Sequence, residues 1–264
     1  MTRHFADGSA DEVVRVNQVD WKVYSGKLYY ASYTGLAAKE MNDKVDVVFY
    51  NSKGEALTNQ KTDSIVTYSI RMLATDYVIS RPKLRTVYVD MLNYGAEAQR
   101  TFNYDEANPA NAQLSDAQKA YATVSVETEN NRVTGPGYYG TALTLKDQIL
   151  LDFVFNDSVI GTNYDSMYAI ATYIDHYGNS ESVRIEGSEF KLYSSGRHYV
   201  SVSGMAVADC RQLVTCTIYD ANGTAIAYAS DSVEGYVNRN LNVIGEIGTA
   251  IMKFGSSSYN YFQK

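Results

Sequence analysis

The chain has 264 residues, a formal net charge of −7 at pH 7 and a sequence pI near 5.0. This acidic balance, without any cluster of Lys and Arg, argues against a nucleic-acid partner, because phosphate binding needs concentrated positive charge. The sequence also has no run of about twenty apolar residues, so no membrane span is expected.

The chain contains an internal repeat. Residues 14–24 resemble residues 183–193 at an offset of 169. Residues 47–54 resemble residues 216–223 at the same offset. It ends with residues 91–95 against residues 251–255, where the offset has fallen to 160. A repeat this long indicates duplicated modules. We therefore predict a mainly β fold with helices (α+β), made of two tandem antiparallel β-sandwich modules that each end in two helices.

The first module is predicted over residues 12–104. Alternating apolar residues indicate the buried face of its strands; they are Val19, Trp21, Val23, Val45, Val47 and Phe49. Helical spacing follows, with one helix over residues 64–74 and another around residues 84–95. The polar, Ala-rich residues 105–123 are predicted to form a connector with a short helix.

The second, complete module is predicted over residues 124–264. Apolar residues alternate from Leu143 to Phe155 and indicate two strands. Further strands reach Ala229 and are separated by turns rich in Gly, Asn and Ser, a pattern typical of a β-sandwich. Residues 231–234 resemble a capping box that begins one helix, and a second helix is predicted over residues 243–254.

The first module is predicted to be truncated, because the strands over residues 141–174 have no evident counterpart before Val14. One explanation is that the sequence begins inside a module. The other is that the first copy is naturally shorter and that the second copy or a neighbouring chain covers its exposed sheet edge. We favour the first explanation.

Cys210 and Cys216 are the two cysteines of the chain. They align with Met41 and Val47, so we expect two buried apolar thiols. A disulfide across this short loop and a metal site are the alternatives.

The sequence offers little catalytic machinery, and no enzyme activity is predicted. The three histidines show no metal-binding spacing, and Asp175-His176 lacks a recognisable nucleophile context. No cofactor is expected. A calcium site formed by Asn156, Asp157 and Asp165 is an open alternative, since hard cations prefer several oxygen ligands.

Tyrosine provides the clearest functional pattern, with 24 residues in the chain. The portion unique to the second copy contains a group beside Gly, Asn and Asp that we predict to bind a ligand: Tyr138, Tyr139, Tyr164, Tyr168 and Tyr177. An exposed phenol ring packs against the C–H groups of a sugar and loses little conformational entropy. Tyr is also favoured in strands and protein interfaces, which is the alternative role.

Two segments carry a family resemblance. Tyr88-Val-Asp-Met-Leu-Asn-Tyr-Gly-Ala-Glu-Ala-Gln99 and Gly35-Leu-Ala-Ala-Lys-Glu-Met-Asn-Asp43 resemble a module of large secreted proteins of gut anaerobic bacteria. There the module often accompanies immunoglobulin-like repeats, carbohydrate-active domains or dockerins. The resemblance implies an extracellular surface or polysaccharide-degrading, cellulosome-associated context and brings no catalytic residues with it.

These features predict a secreted or cell-surface, non-catalytic carbohydrate-binding or adhesion module. Its expected partners are a polysaccharide or other glycan and further modules of the same polypeptide. The alternative is a structural spacer or assembly module without a glycan ligand, for which a duplicated scaffold is suited.

Overall fold

The computed structural model describes residues 1–25, 28–57, 65–120, 131–145 and 148–263. Contacts divide the chain into two compact units, Met1–Tyr121 and Ala122–Lys264. Both units combine antiparallel sheets with helices, which confirms the predicted α+β class. Residues 121–123 of the predicted connector and 124–130 of the predicted second module lie outside the described residues.

The first unit combines one sheet, one separate hairpin and helices. Its described elements are β1 (Thr2–His4), β2 (Glu12–Val13), β3 (Lys22–Ser25), β4 (Leu28–Tyr30), β5 (Lys44–Val47), β6 (Val66–Tyr68), α1 (Ile70–Ser80), α2 (Arg85–Thr101) and α3 (Asp116–Lys119). The sheet has the order β2-β1-β5-β6, whereas β3 and β4 pair only with each other among the described residues.

The second unit contains one sheet of five strands and one of four strands. Its described elements are β7 (Val133–Thr134), β8 (Tyr138–Leu145), β9 (Ile149–Asn156), α4 (Asp157–Ile160), β10 (Tyr168–Ile174), β11 (Ser180–Glu186), β12 (Lys191–Ser194), β13 (Arg197–Val202), β14 (Val214–Tyr219), β15 (Ala225–Asp231), α5 (Val233–Arg239), α6 (Leu241–Ile244) and α7 (Glu246–Phe262). One sheet has the order β11-β10-β14-β15-β7 and the other has the order β12-β13-β9-β8.

Both sheets of the second unit contribute to its core. Strand β9 supplies Phe153 and Phe155, which are fully buried, and Phe153 lies directly opposite Val200 of β13. The other sheet contributes small and medium apolar side chains at alternate positions, including Ala171, Cys216, Ile218 and Ala229. This alternation is the pattern expected of strands with one buried face.

The two hairpins of the repeat have the same register. Lys22 of β3 opposes Tyr30 of β4, as Lys191 of β12 opposes Tyr199 of β13, and both ladders shift register before the turn. Corresponding residues differ by 169 positions, so the offset read from the sequence matches the hydrogen-bonded pairing.

The sheets of the two units also correspond strand by strand. Thr2 of β1 opposes Val13 and Asp46, as Thr172 of β10 opposes Ser182 and Thr215. Strand β1 is therefore the counterpart of the end of β10, and the prediction that residues 141–174 have no counterpart before Val14 is wrong for this part. Among the described elements, the first unit lacks counterparts of β8 and β9.

The helices close each unit in the same way. Gly95 of α2 lies against the 3₁₀ turn Ala38–Glu40, where an added Cβ would be 3.3 Å from the Ala38 carbonyl oxygen and 2.5 Å from Met41 Sδ. Gly255 of α7 lies against the 3₁₀ turn Val207–Asp209, where an added Cβ would be 3.0 Å from the Val207 carbonyl oxygen. The two glycines were aligned at an offset of 160, and both permit close approach of a helix to the aligned turn.

The predicted inward face of the first strands is partly wrong. Val19 and Val23 are 87% and 59% exposed, although Trp21 between them is half-buried. Residues Gln18–Asp20 form a 3₁₀ turn rather than a strand, so the period of two does not extend across them. Hence alternation alone did not identify the buried side chains here.

Three further expectations can be compared with the structure. Cys210 and Cys216 are free and buried, and burial raises the pKa of the Cys216 thiol to about 12, so both act as apolar core residues. Residues 105–120, predicted as a connector, contribute buried Ala110 and Leu114 to the first unit. The predicted short helix corresponds to α3, which Ser115 caps by accepting from the Gln118 amide at 3.2 Å.

Candidate functional site

Three strand ends meet at one edge of the second unit. Tyr138 at the start of β8 opposes Phe155 near the end of β9, and Asn156 at the end of β9 opposes Arg197 at the start of β13. Antiparallel pairing therefore brings the predicted residues Tyr138 and Tyr139 beside polar residues that are distant in sequence.

Two exposed tyrosines and an arginine form the most open aromatic group at this edge. The ring centroids of Tyr139 and Tyr193 are 6.2 Å apart, and the two residues are 48% and 50% exposed. The Arg197 guanidinium carbon lies 3.7 Å from the centroid of the Tyr139 ring. We call Tyr139, Tyr193 and Arg197, with Asn156 and Ser194, the Tyr139–Tyr193 cluster.

Two β-bulges bring these rings together. The β8–β9 ladder shifts register between Tyr138 and Gly140, and the β12–β13 ladder shifts between Leu192 and Ser194. Each bulge adds one residue, Tyr139 or Tyr193, that the regular ladder would not place there. The guanidinium of Arg197 donates to Asn156 Oδ1 and Ser194 Oγ, each at 3.4 Å, which positions it beside the rings.

The cluster combines two features that sugar binding requires. Half-exposed phenol rings can pack against C–H groups, and guanidinium, amide and hydroxyl groups next to them can bond sugar hydroxyls. Tyr193 and Arg197 were not predicted from the sequence. Tyr193 lies in a segment shared by both copies, and only the bulges bring it to Tyr139.

Tyr164 belongs to a different group at the same edge. Its hydroxyl lies 2.9 Å from His198 Nδ1, which is also 3.0 Å from Asp157 Oδ1. Burial, together with the nearby Asp157, raises the pKa of Tyr164 to about 12. The phenol therefore stays protonated at neutral pH, and the group links α4 to β13 without an activated nucleophile.

Tyr138 and Tyr168 are both engaged within the fold. The Tyr138 hydroxyl lies 2.8 Å from Thr141 Oγ1, and its ring contacts Phe155 edge-on at 6.4 Å. The Tyr168 ring stacks on Tyr219 at 5.1 Å and 11°, while the Arg184 guanidinium carbon lies 3.6 Å from its centroid. The Tyr168 ring is thus engaged by one residue of β14 and one residue of β11.

Tyr177 is 63% exposed, but it lies in the turn after β10, next to His176 and Phe262. Tyr168 is the first residue of the seven-residue strand β10, and Tyr177 follows its last residue, Ile174, by three positions, so the strand separates the two tyrosines by a distance on the order of 20 Å. The structure therefore brings Tyr138, Tyr139 and Tyr164 to one edge, engages Tyr168 with Tyr219 and Arg184, and places Tyr177 beyond the far end of β10 from Tyr168.

Asp175 and His176, which were singled out from the sequence, have structural contacts. His176 Nδ1 lies 2.7 Å from Asp209 Oδ1, and the Asp209 carboxylate also accepts from the Ala206 amide. Asp175 accepts from the amides of Tyr177 and Asn179 and closes the turn. Among the described residues, no group of three or more His, Cys, Asp or Glu side chains could hold a metal ion.

One buried carboxylate lies in the middle of the β9 sheet. Asp152 is 5% exposed and accepts from the hydroxyls of Ser201 at 2.6 Å and Thr144 at 2.9 Å. Burial raises its pKa, although the two hydroxyls and Lys191 act in the opposite direction. Because its oxygens are bonded across three strands, this residue acts as a structural link.

Comparisons with protein-family models, curated proteins and solved structures gave no match for this chain. In the part of the chain that the structure describes, no helix combines the length and the apolar character needed to cross a membrane.

Proposed function

We propose that the chain is a non-catalytic carbohydrate-binding or adhesion module whose glycan site is the Tyr139–Tyr193 cluster. The observation that supports this most strongly is the pair of half-exposed phenol rings 6.2 Å apart beside the Arg197 guanidinium. Aromatic rings with adjacent hydrogen-bond donors are the side chains that recognise the two chemically different surfaces of a sugar.

The secreted or cell-surface setting is part of the same proposal. It is supported by the resemblance of Tyr88-Val-Asp-Met-Leu-Asn-Tyr-Gly-Ala-Glu-Ala-Gln99 to modules of secreted bacterial proteins. Further modules of the same polypeptide are the expected neighbours.

Binding is tested first by pull-down with insoluble plant polysaccharides and mucin, together with a glycan array. For a glycan that is retained, Tyr139→Ala and Tyr193→Ala should each weaken binding by about 1 to 3 kcal/mol through lost ring contact, or roughly five- to 150-fold. The matched control is Tyr68→Ala, which removes a 46% exposed ring from the first unit and should leave the affinity unchanged. Retention on no glycan, or equal losses in all three variants, would contradict the proposal.

A spacer or assembly module is the second candidate, and a specific observation favours it. Strand β4 and the neighbouring apolar residues of the first unit have no counterpart of β8 and β9 beside them in the described structure. This role would be favoured if the chain bound no glycan of the array and a protein partner bound to the first unit.

A further inference from the structure

An open apolar groove lies in the first unit where the second unit is filled. The groove has a volume of about 700 Å³. Its lining includes Val16, Trp21, Ala31, Val47 and Phe49. Trp21 is the sole tryptophan of the chain, and its ring meets Phe49 edge-on at 5.3 Å.

The equivalent positions in the second unit are closed. At the offset of 169, these five residues correspond to Ile185, Phe190, Val200, Cys216 and Ile218, all of which are buried. Phe49 is 37% exposed, whereas Ile218 is 0% exposed. Ala31 and Val47 are half-buried, whereas Val200 and Cys216 are at most 1% exposed.

The second unit also shows what closes this surface. Strand β9 pairs with β13 along Arg197–Val202, so that Phe153 lies opposite Val200, the counterpart of Ala31. Phe153 and Phe155 of β9 are fully buried in the resulting core. Among the described residues, β4 pairs with β3 alone, and its other edge is not hydrogen-bonded to a strand.

We propose that the groove of the first unit binds a β-hairpin of the β8–β9 type from a separate polypeptide. One strand of that hairpin would extend the β3–β4 sheet along β4, and its inward Leu and Phe side chains at alternate positions would fill the groove. Adding a strand to an exposed sheet edge is a common mode of peptide recognition, with backbone bonds giving affinity and pockets giving specificity. This inference is independent of glycan binding, which is assigned to the second unit.

The test uses the full chain and a synthetic peptide of residues 138–156 as the probe. Trp21 lines the groove, so its fluorescence reports occupancy directly. We expect a saturable blue shift of the emission and protection from acrylamide quenching as the peptide is added. A peptide with Leu151, Phe153 and Phe155 all replaced by Ser should produce neither effect.

Two protein variants distinguish binding in the groove from non-specific hydrophobic binding of the peptide. Phe49→Asp places a charge in the groove and should abolish the shift, while circular dichroism checks that the fold is retained. Ile79→Asp, at a 66% exposed position of α1, is the matched control and should bind like the unaltered chain.

Register gives a sharper test. In the second unit Phe153 and Val200 are directly opposed, so Ala31→Cys in the chain should form a disulfide with a Phe153→Cys peptide. Ser32→Cys, one residue along, should form much less, because adjacent residues of the strand extended by the peptide would face opposite sides of the sheet.

Three results would overturn the proposal. The first is the absence of both the fluorescence shift and the cross-link. The second is concentration-dependent dimerisation that protects Trp21 without peptide, which would make a second copy the occupant. The third is protection of Trp21 by a soluble oligosaccharide instead of the peptide, which would make the groove a sugar site.

Discussion

The two units are built on one scaffold and differ in what covers one face. Their sheets share strand order and register, their hairpins share a bulge, and the long helices α2 and α7 each pack a glycine against the equivalent 3₁₀ turn. The second unit adds β8 and β9, and the residues beneath that hairpin are buried. The comparison indicates that the helix-bearing side is shared by both units, whereas the face that β8 and β9 cover in the second unit is where the described units differ.

The largest expected difference in stability is between truncations at one equivalent position of the two units. Ile218→Ala should cost about 2 to 5 kcal/mol of unfolding free energy, because Ile218 is fully buried and truncation leaves a cavity. Phe49→Ala, at the equivalent position, should cost about 1 kcal/mol, because its side chain is already partly in water and no closed cavity forms. Denaturant unfolding followed by hydrogen-exchange mass spectrometry resolves each unit, and equal costs would contradict the comparison.

The shared contact between helix and turn predicts parallel losses. Gly255→Ala and Gly95→Ala should each destabilise their unit by about 1 kcal/mol, since overpacking against a carbonyl oxygen outweighs the higher helix propensity of Ala. Gly140→Ala is the control, because an added Cβ there meets nothing within 4 Å. A loss in only one of the two units would indicate that the helices do not pack equivalently.

Removal of the equivalent N-cap serine should destabilise both units by a similar amount. Ser69 Oγ accepts from the Met72 amide at 3.1 Å, and Ser232 Oγ accepts from the Gly235 amide at 2.9 Å. Ser69→Ala and Ser232→Ala should each cost about 1 kcal/mol by leaving an amide of the first turn unpaired. Urea midpoints of the two variants provide the measurement, and an unchanged midpoint for either variant would contradict an equivalent cap.

The smallest effect concerns a residue found only in the second unit. Because burial raises the pKa of Asp152 in the folded state, that state binds its proton more readily than the unfolded chain does. The contribution of Asp152 to the free energy of unfolding should therefore increase as the pH falls from 7 towards about 4, the usual pKa of an unfolded Asp. This contribution should be absent in Asp152→Asn. Thermal unfolding between pH 7 and 4 measures the difference, and an identical slope in both proteins would contradict it.

Much of the scaffold could be predicted because the repeat preserves the residues that packing requires. Gly95 and Gly255 were aligned from the sequence, and both lie at the same contact. Alternation failed at Val19 and Val23, where a 3₁₀ turn interrupts the strand. This interruption depends on local backbone geometry that an apolar pattern does not encode.

The candidate site was predictable only in part. Tyr139 was identified because tyrosine is concentrated in the portion unique to the second copy, but Tyr193 and Arg197 were missed. Their approach depends on two bulges and on the pairing of Asn156 with Arg197, which are non-local features. Tyr168 and Tyr177 lie near opposite ends of β10, so the five predicted tyrosines do not form a single cluster.

The central claim is that the two units share one scaffold and that a face left open in the first unit is filled in the second. Its most direct test compares the solvent exposure of a tryptophan at equivalent positions of the two units. Trp21 in the unaltered chain lines the open groove, whereas in a Trp21→Phe, Phe190→Trp variant the sole tryptophan replaces the buried Phe190. Acrylamide quenching should be markedly stronger for Trp21 than for the tryptophan at position 190. Equal quenching, or stronger quenching at position 190, would contradict a first unit left open where the second is filled.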